Sequence, residues 1–422
     1  MKIQDNYPEG NILWFNDFYL NDNRMFFSAG NFNGLFEYLI NEKKLYFLGN
    51  FKNEGLLNMQ LYGKIHKYKN KLIFTPMSAD NIAVYDIKEK TFSAIHLPLP
   101  KIPCGFEGKF LNSVVVEDKI IMFPGRFYCI VEYNINSEEL QIHDEWYDEC
   151  IKRWGKRSYL LFSYDMVKIG NDIFLPSALT SGIFKYCLTE NKYEFIDIPY
   201  KCKCLSTLAY DGEYFWSVTD DGKLLILKNN GLILKKIDVY ITYGERGLVH
   251  RSVYDNGYIW LFFSQQSKII KIKCYDCENE YEVIKYSEKE KEYTNLEYHA
   301  VDFVEKKKSD IFFMSRSSRD LKYIRNDKLN NYINYIIDTS GYCEKEVKGI
   351  DLYRANIEYA NKINLYFHTQ NNVILYEKTV FKDTLEFLLR ETSRRIDMIE
   401  NGVCLNFGKK IYQSIINDNI LS

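Results

Sequence analysis

One apolar strand recurs along this chain, and it restricts what the chain can fold into. It reads Arg24-Met-Phe-Phe, then Lys71-Leu-Ile-Phe, Lys119-Ile-Ile-Met-Phe and Asp172-Ile-Phe-Leu. It continues as Tyr214-Phe-Trp, Tyr258-Ile-Trp-Leu, Asp310-Ile-Phe-Phe and Ile363-Asn-Leu-Tyr-Phe. The copies lie about 42 to 53 residues apart, a period at which one supersecondary unit repeats. A polar turn precedes each, including Asp211-Gly212 and Asn256-Gly257, pairs that tolerate positive φ at both turn positions. The unit is clearest from Gly63 to Leu97. Two apolar runs meet there at Lys69-Asn70, a third ends in Val84-Tyr85-Asp86, and a fourth starts at Phe92. Four short strands joined by three turns cannot bury both faces of their sheet. Each sheet needs a similar one on either side.

The third strand repeats as well, in Phe36-Glu-Tyr38, Val84-Tyr85-Asp86, Val131-Glu-Tyr133 and Phe184-Lys-Tyr186. Pro76, Pro124 and Pro176 follow three of the second strands, where a strand end needs no ladder donor. The pattern resembles the β-propeller superfamily, in the broad kelch-like or NHL-like manner, over residues 10 to about 378. The resemblance implies an all-β ring of eight four-stranded blades, or seven if one unit, the seventh, is not a true blade. Lys2 to Tyr7 would then complete the eighth blade. The kelch double glycine is missing, as are the WD dipeptide and the sialidase Asp-box, so no family's functional residues are carried over. The expected division is a propeller over 1–378 and a helical tail over 379–422. The tail reading rests on the cap-like Asp383-Thr-Leu-Glu386 and the apolar series Leu385, Leu388, Leu389, Ile396 and Ile399. Such a helix either packs on the ring or docks a partner.

A net charge of −2 excludes any general attraction to nucleic acid or to acidic membranes. The start MKIQDNYPEGN lacks the pattern of a signal peptide, and no window has the apolar length of a membrane span. A cytoplasmic protein is therefore expected. The ten cysteines read as small core residues, and neither Cys274-Tyr-Asp-Cys277 nor Cys202-Lys-Cys204 has the second pair that a zinc site wants. No G-x-S-x-G, P-loop, G-x-G-x-x-G or H-E-x-x-H is present, and no cofactor or metal is expected.

The remaining signal comes from aligning the units. The residue after the apolar position that opens each first strand reads Asn16, Gly63, Asn112, Ser163, Ser206, His250, His299 and Arg354. In a propeller these positions converge on one mouth of the central channel. Arg126 and Arg316 leave second strands nearby, and Tyr164 and Arg251 sit one residue past the column. Polar residues line any wet channel. A mouth with several cations and few carboxylates also suits an anionic small molecule or glycan held by arginine forks, or a protein partner. Asn16, Asn112, Arg126, Ser163, Arg251, Arg316 and Arg354 are the candidate ligand residues. Trp146 and Trp154, in a long connection over 144–160, are candidates for stacking on a sugar or peptide. Two function classes follow. One is a binding or scaffold module, which needs no catalytic set. The other is a propeller lyase, hydrolase or epimerase on an anionic carbohydrate, with His250 or His299 as base and Tyr164 as acid. In that case Arg354 would neutralise the substrate carboxylate.

Overall fold

The computed structural model describes residues 15–333 apart from 31, 56–57, 59, 99–107, 156–159, 240–248, 264–267, 275–280, 287–300 and 316–320. Among these residues stand seven antiparallel sheets, each of four strands in chain order. They span residues 18–49, 62–96, 110–143, 167–197, 209–238, 249–285 and 301–333, here blades 1 to 7. First strands of successive blades neighbour one another, as in blades 1 and 2, 2 and 3, 5 and 6, and 6 and 7, so they form the inner wall.

The turn chemistry explains the regular first hairpins. Asn21 pairs with Arg24, Tyr68 with Lys71, Val116 with Lys119, Ile169 with Asp172, Asp255 with Tyr258 and Lys307 with Asp310, each across two residues. The first turn residue has positive φ whether it is Asp22 (50°), Lys69 (52°), Glu117 (55°), Gly170 (58°), Asn256 (48°) or Lys308 (58°). That conformation matches the right-handed twist of the flanking strands. Strand twist therefore imposes it even on Lys69 and Glu117, which have no preference for it. Pro76, Pro124 and Pro176 end the second strands of blades 2, 3 and 4, as their repeat position predicts.

Among the described residues the core lies between blades. Ile73, Ile82 and Val84 of blade 2 cluster with Phe110, Met122 and Tyr133 of blade 3. Equivalent clusters join blades 1 and 2, 3 and 4, 4 and 5, 5 and 6, and 6 and 7. The remaining interface is aromatic. Phe15 and Phe18 meet Phe303 of blade 7 at ring-centroid distances of 5.2 and 5.7 Å, and Phe18 meets Phe312 at 5.4 Å. Lys307 of blade 7 adds an ion pair to Asp17 at 2.9 Å. Blades 1 and 7 are thus neighbours, and the fold is a seven-bladed β-propeller. Of the two blade counts that the sequence allows, the structure shows seven, and the seventh unit is a true blade. The eighth unit, near Ile363, lies outside the described residues, as do Lys2 to Tyr7 and the tail helix. The chain separates into two compact units, Met1–Leu352 and Tyr353–Ser422.

The connection between blades 3 and 4 is not an open loop. It holds a helix, Glu145–Trp154, with Glu145 and Asp148 in its first turn and Lys152 and Arg153 in its last, complementing the helix dipole. Trp146, Cys150 and Trp154 recur every four residues on one face and are buried. Trp146 is 0% exposed and joins the core between blades 3 and 4. Trp154 packs so closely on Gly182 that an added Cβ there would meet its ring at 2.7 Å.

Candidate functional site

The aligned column lies where inner strands lose register. In blade 6, Val249 pairs with Phe263 but Arg251 with Phe262, leaving His250 as the extra residue of a bulge. In blade 2, Tyr62 pairs with Pro76 and Lys64 with Thr75, leaving Gly63. In blades 4 and 5 the ladder is interrupted. Phe162 and Leu205 make isolated bridges, and the strands resume at Val167 and Ala209. Bulges re-aim side chains, and interrupted strands leave backbone groups for side chains to satisfy.

Several column residues tie one blade to the next. Asn16 Nδ2 donates to the Tyr62 carbonyl at 3.2 Å, and Asn112 Nδ2 to the Tyr164 carbonyl at 3.1 Å. Ser163 Oγ donates to the Leu205 carbonyl, and Ser206 Oγ donates to the Val218 carbonyl of its own blade at 3.0 Å. These amide and hydroxyl donors are occupied by the ring itself.

Two buried carboxylates act as pins at the centre. Asp17 accepts the Phe18 N–H at 2.8 Å, the Ile65 N–H of blade 2 at 2.9 Å and Lys307 Nζ of blade 7 at 2.9 Å. Burial pushes its carboxyl up, but Lys307, Lys64 and these donors outweigh that and hold it below the usual range. Asp165 accepts the Leu208 N–H of blade 5 at 3.0 Å, and both the N–H and Oγ of Ser252 in blade 6 at 2.9 Å. Here burial dominates and raises the carboxyl, although Arg251 and the donors oppose it. Lys64 of blade 2 forms an ion pair with Glu305 of blade 7, past the intervening blade 1. Burial lowers its amine to about 7, against the pull of Asp17 and Asp165. His66, two residues on, has Nε2 2.7 Å from Ser113 Oγ, and burial lowers its imidazole to about 4, so it is neutral.

The tightest meeting of candidate residues joins blades 4 and 6. The Tyr164 and His250 rings lie 4.5 Å apart between centroids at an interplanar angle of 55°. The Arg251 guanidinium sits 5.3 Å from the Tyr164 ring centroid. Its Nη1 donates to the Tyr164 carbonyl and lies 3.4 Å from Asp165 Oδ1. The structure thus brings together Tyr164, His250 and Arg251, with Asn112 bonded to the same carbonyl. Arg126 is half-buried beyond the second strand of blade 3. His299, Arg316 and Arg354 lie outside the described residues. Trp146 and Trp154 are corrected from ligand-stacking loop residues to buried helix residues whose rings face the core. Their indole N–H groups are taken by the His143 carbonyl at 3.1 Å and by Asp197 at 2.8 Å.

Asp17, Lys64, His66, Ser113, Asp165, Glu305 and Lys307 escaped the sequence reading. A usable signal existed for two of them. Asp17 and Lys64 stand one residue past the column, as Tyr164 and Arg251 do, and a charge at an inner-wall position is costly unless paired. Among the described residues, no group of three or more His, Cys, Asp or Glu side chains is placed to hold a metal ion.

No family model matches the chain, and no curated protein matches it. Solved structures do resemble it. A catalytically inactive virginiamycin B lyase from Staphylococcus aureus, with quinupristin, has 11% identity and a TM-score of 0.52 over 74% of this chain and 94% of that one. BamB from Moraxella catarrhalis has 9% identity and a TM-score of 0.49 over 74% and 85% of the two chains. Hsv2 from Kluyveromyces lactis has 9% identity and a TM-score of 0.45 over 76% and 98%. The likeness is one of fold, and it leaves the kelch-like or NHL-like affinity at the level of the β-propeller.

Proposed function

We propose that this chain is a cytoplasmic binding or scaffold propeller that engages an anionic small molecule or glycan, or a protein partner, at its central mouth. The observation that carries the reading is the convergence of Tyr164, His250 and Arg251 from blades 4 and 6. A cation beside two flat rings is a combination suited to an anionic group, and no one blade supplies it. At the centre the cations are matched by carboxylates, Lys64 by Glu305, Lys307 by Asp17 and Arg251 by Asp165, which favours cohesion over chemistry. The described cysteines are all free, in keeping with a reducing compartment. No described helix is long and apolar enough to cross a membrane.

The enzyme reading draws support from one contact. Tyr164 and His250, the expected acid and base, are in ring contact, so a propeller lyase, hydrolase or epimerase on an anionic carbohydrate is the second reading.

A thermal-shift screen of uronic and sialic-type sugars, sugar phosphates and acidic peptides decides between outcomes. The full chain is compared with a Tyr164→Leu, His250→Ala variant. A ligand at 100 times its dissociation constant stabilises the fold by about 2.7 kcal/mol. A shift in the wild type that the variant loses supports the reading, and turnover of the hit selects the enzyme alternative. Equal shifts in both proteins would place binding elsewhere and sink it. If no small ligand shifts the wild type, capture of a partner by the wild type and not the variant supports the protein-partner form, and equal capture refutes it.

A further inference from the structure

Arg251 is only 8% exposed, yet not all of its donors are matched. Nη1 donates to the Tyr164 carbonyl and approaches Asp165, while the buried Nε has no hydrogen-bond partner among the described residues. Buried polar groups are nearly always satisfied, and leaving a charged donor unmatched is costly. The backbone explains how this arises. The bulge at His250 turns Arg251 toward blade 4, where the interrupted inner strand offers the Tyr164 carbonyl to Nη1. What remains unmatched is Nε, and the Tyr164 ring, whose centroid is 5.3 Å from the guanidinium, lies 4.5 Å from the His250 ring.

The neighbouring charges limit what that edge can take. Lys64 interacts electrostatically with Arg251, Asp165, Asp17 and Lys307, and it pairs with Glu305. Arg251, Lys64 and Lys307 therefore face Asp17, Asp165 and Glu305 in one largely buried group, and with the Lys64 amine lowered to about 7 the cations do not outnumber the carboxylates. The group carries no surplus positive charge for a dianion. Asp165 lies against the Arg251 Nη1 atom and would repel a second negative charge. A carboxylate is planar, carries one charge and accepts two parallel N–H bonds from an arginine edge.

We infer that the unmatched Nε edge of Arg251 is the recognition point for a singly charged carboxylate, with Tyr164 and His250 as the wall for a flat or apolar face next to it. The site discriminates against doubly charged phosphate groups. This rests on the mouth being the binding site, and it narrows the anionic ligand to one class.

Two probes isolate the anionic group, because benzoate and phenyl phosphate share a ring. Their dissociation constants are measured by ligand-observed NMR titration on the full chain at pH 7.5, where the phosphate ester is mostly doubly charged. Benzoate should bind at least about tenfold more tightly, since juxtaposing like charges is strongly unfavourable. Arg251→Lys, which removes the planar fork and keeps the charge, should weaken benzoate by about tenfold or more. Tyr164→Leu keeps the carbonyl that Arg251 uses and removes the ring, so it should also weaken benzoate. It serves as the test if Arg251→Lys does not fold.

Equal or tighter binding of phenyl phosphate overturns the carboxylate assignment while leaving the mouth as the site, provided Tyr164→Leu weakens that probe too. Benzoate binding that neither variant alters overturns the placement. If neither probe binds, the inference fails, and the glycan and partner arms of the screen decide the parent reading separately.

Discussion

Replacing Asp165 by Ala should be among the most damaging single changes in this ring. The carboxylate holds two backbone N–H groups, from Leu208 and Ser252, in adjacent blades whose ladders do not supply partners there. It also accepts the Ser252 hydroxyl and faces the Arg251 guanidinium. Each orphaned N–H costs about 1–3 kcal/mol, and stripping the partner from a buried charge costs about 3–5 kcal/mol. These losses share one cavity and do not add fully. A net loss of about 4–6 kcal/mol follows, against a typical domain stability of about 5–15 kcal/mol. Asp165→Asn keeps the shape but puts a donor against donors, for about 2–4 kcal/mol. Ser252→Ala removes only one hydroxyl bond and should cost about 1–2 kcal/mol. Urea unfolding at pH 7 separates the three, because midpoints shift in this order at constant slope. An Asp165→Ala protein within about 1 kcal/mol of wild type, or more stable than Ser252→Ala, would refute the idea that this carboxylate pins blades 4, 5 and 6 together.

Ring closure predicts that Phe18→Ala, which empties the aromatic contact with Phe303 and Phe312, costs about 3–5 kcal/mol in the same assay; a loss near zero would argue against the blade 1–blade 7 interface. Acid sensitivity should come partly from His66, whose imidazole falls to about 4 in the fold from an ordinary 6.5. Folding favours its neutral form, so this contribution is complete above pH 6.5 and is lost as pH falls through 4, about 3 kcal/mol in all. His66→Gln can still accept from Ser113, and it should flatten the stability curve between those pH values. An unchanged slope would contradict the burial argument. Trp146→Phe should lower the melting temperature by several degrees, with no change in the affinity of any ligand that Tyr164→Leu weakens.

Much of the architecture was legible because it is written in local patterns. The second strands are continuous apolar runs behind short turns, and such runs sit at the middle of each sheet, packed on both sides. Blade number was not legible by the same means. The Ile363 segment matches the strand pattern, while closure depends on Phe15, Phe18, Phe303 and Phe312, whose pairing across the whole ring leaves no local mark. The helix at 145–154 was readable and missed. Trp146, Cys150 and Trp154 have helical spacing, but charged neighbours made the segment look like a loop.

The site shows a similar division. Alignment brought Tyr164, His250 and Arg251 to one place although 86 residues separate Tyr164 from His250, as the Tyr164–Arg251 span of 87 residues also implies. It could not tell which donors the ring would occupy. Asn16, Asn112 and Ser163 are taken by neighbouring backbone, and that depends on where each ladder breaks. The bulge at His250 shifts the alternation of the strand by one residue, and a shift of one residue decides which side chain meets the centre.

The most direct test of recognition at the meeting of blades 4 and 6 is a crystal of the full chain grown with 4-bromobenzoate, using the anomalous signal of bromine to place it. The account predicts a peak beside Tyr164 and His250, with the carboxylate on the unmatched Nε edge of Arg251. A bromine peak elsewhere on the propeller, with the Arg251 edge bare, would contradict it.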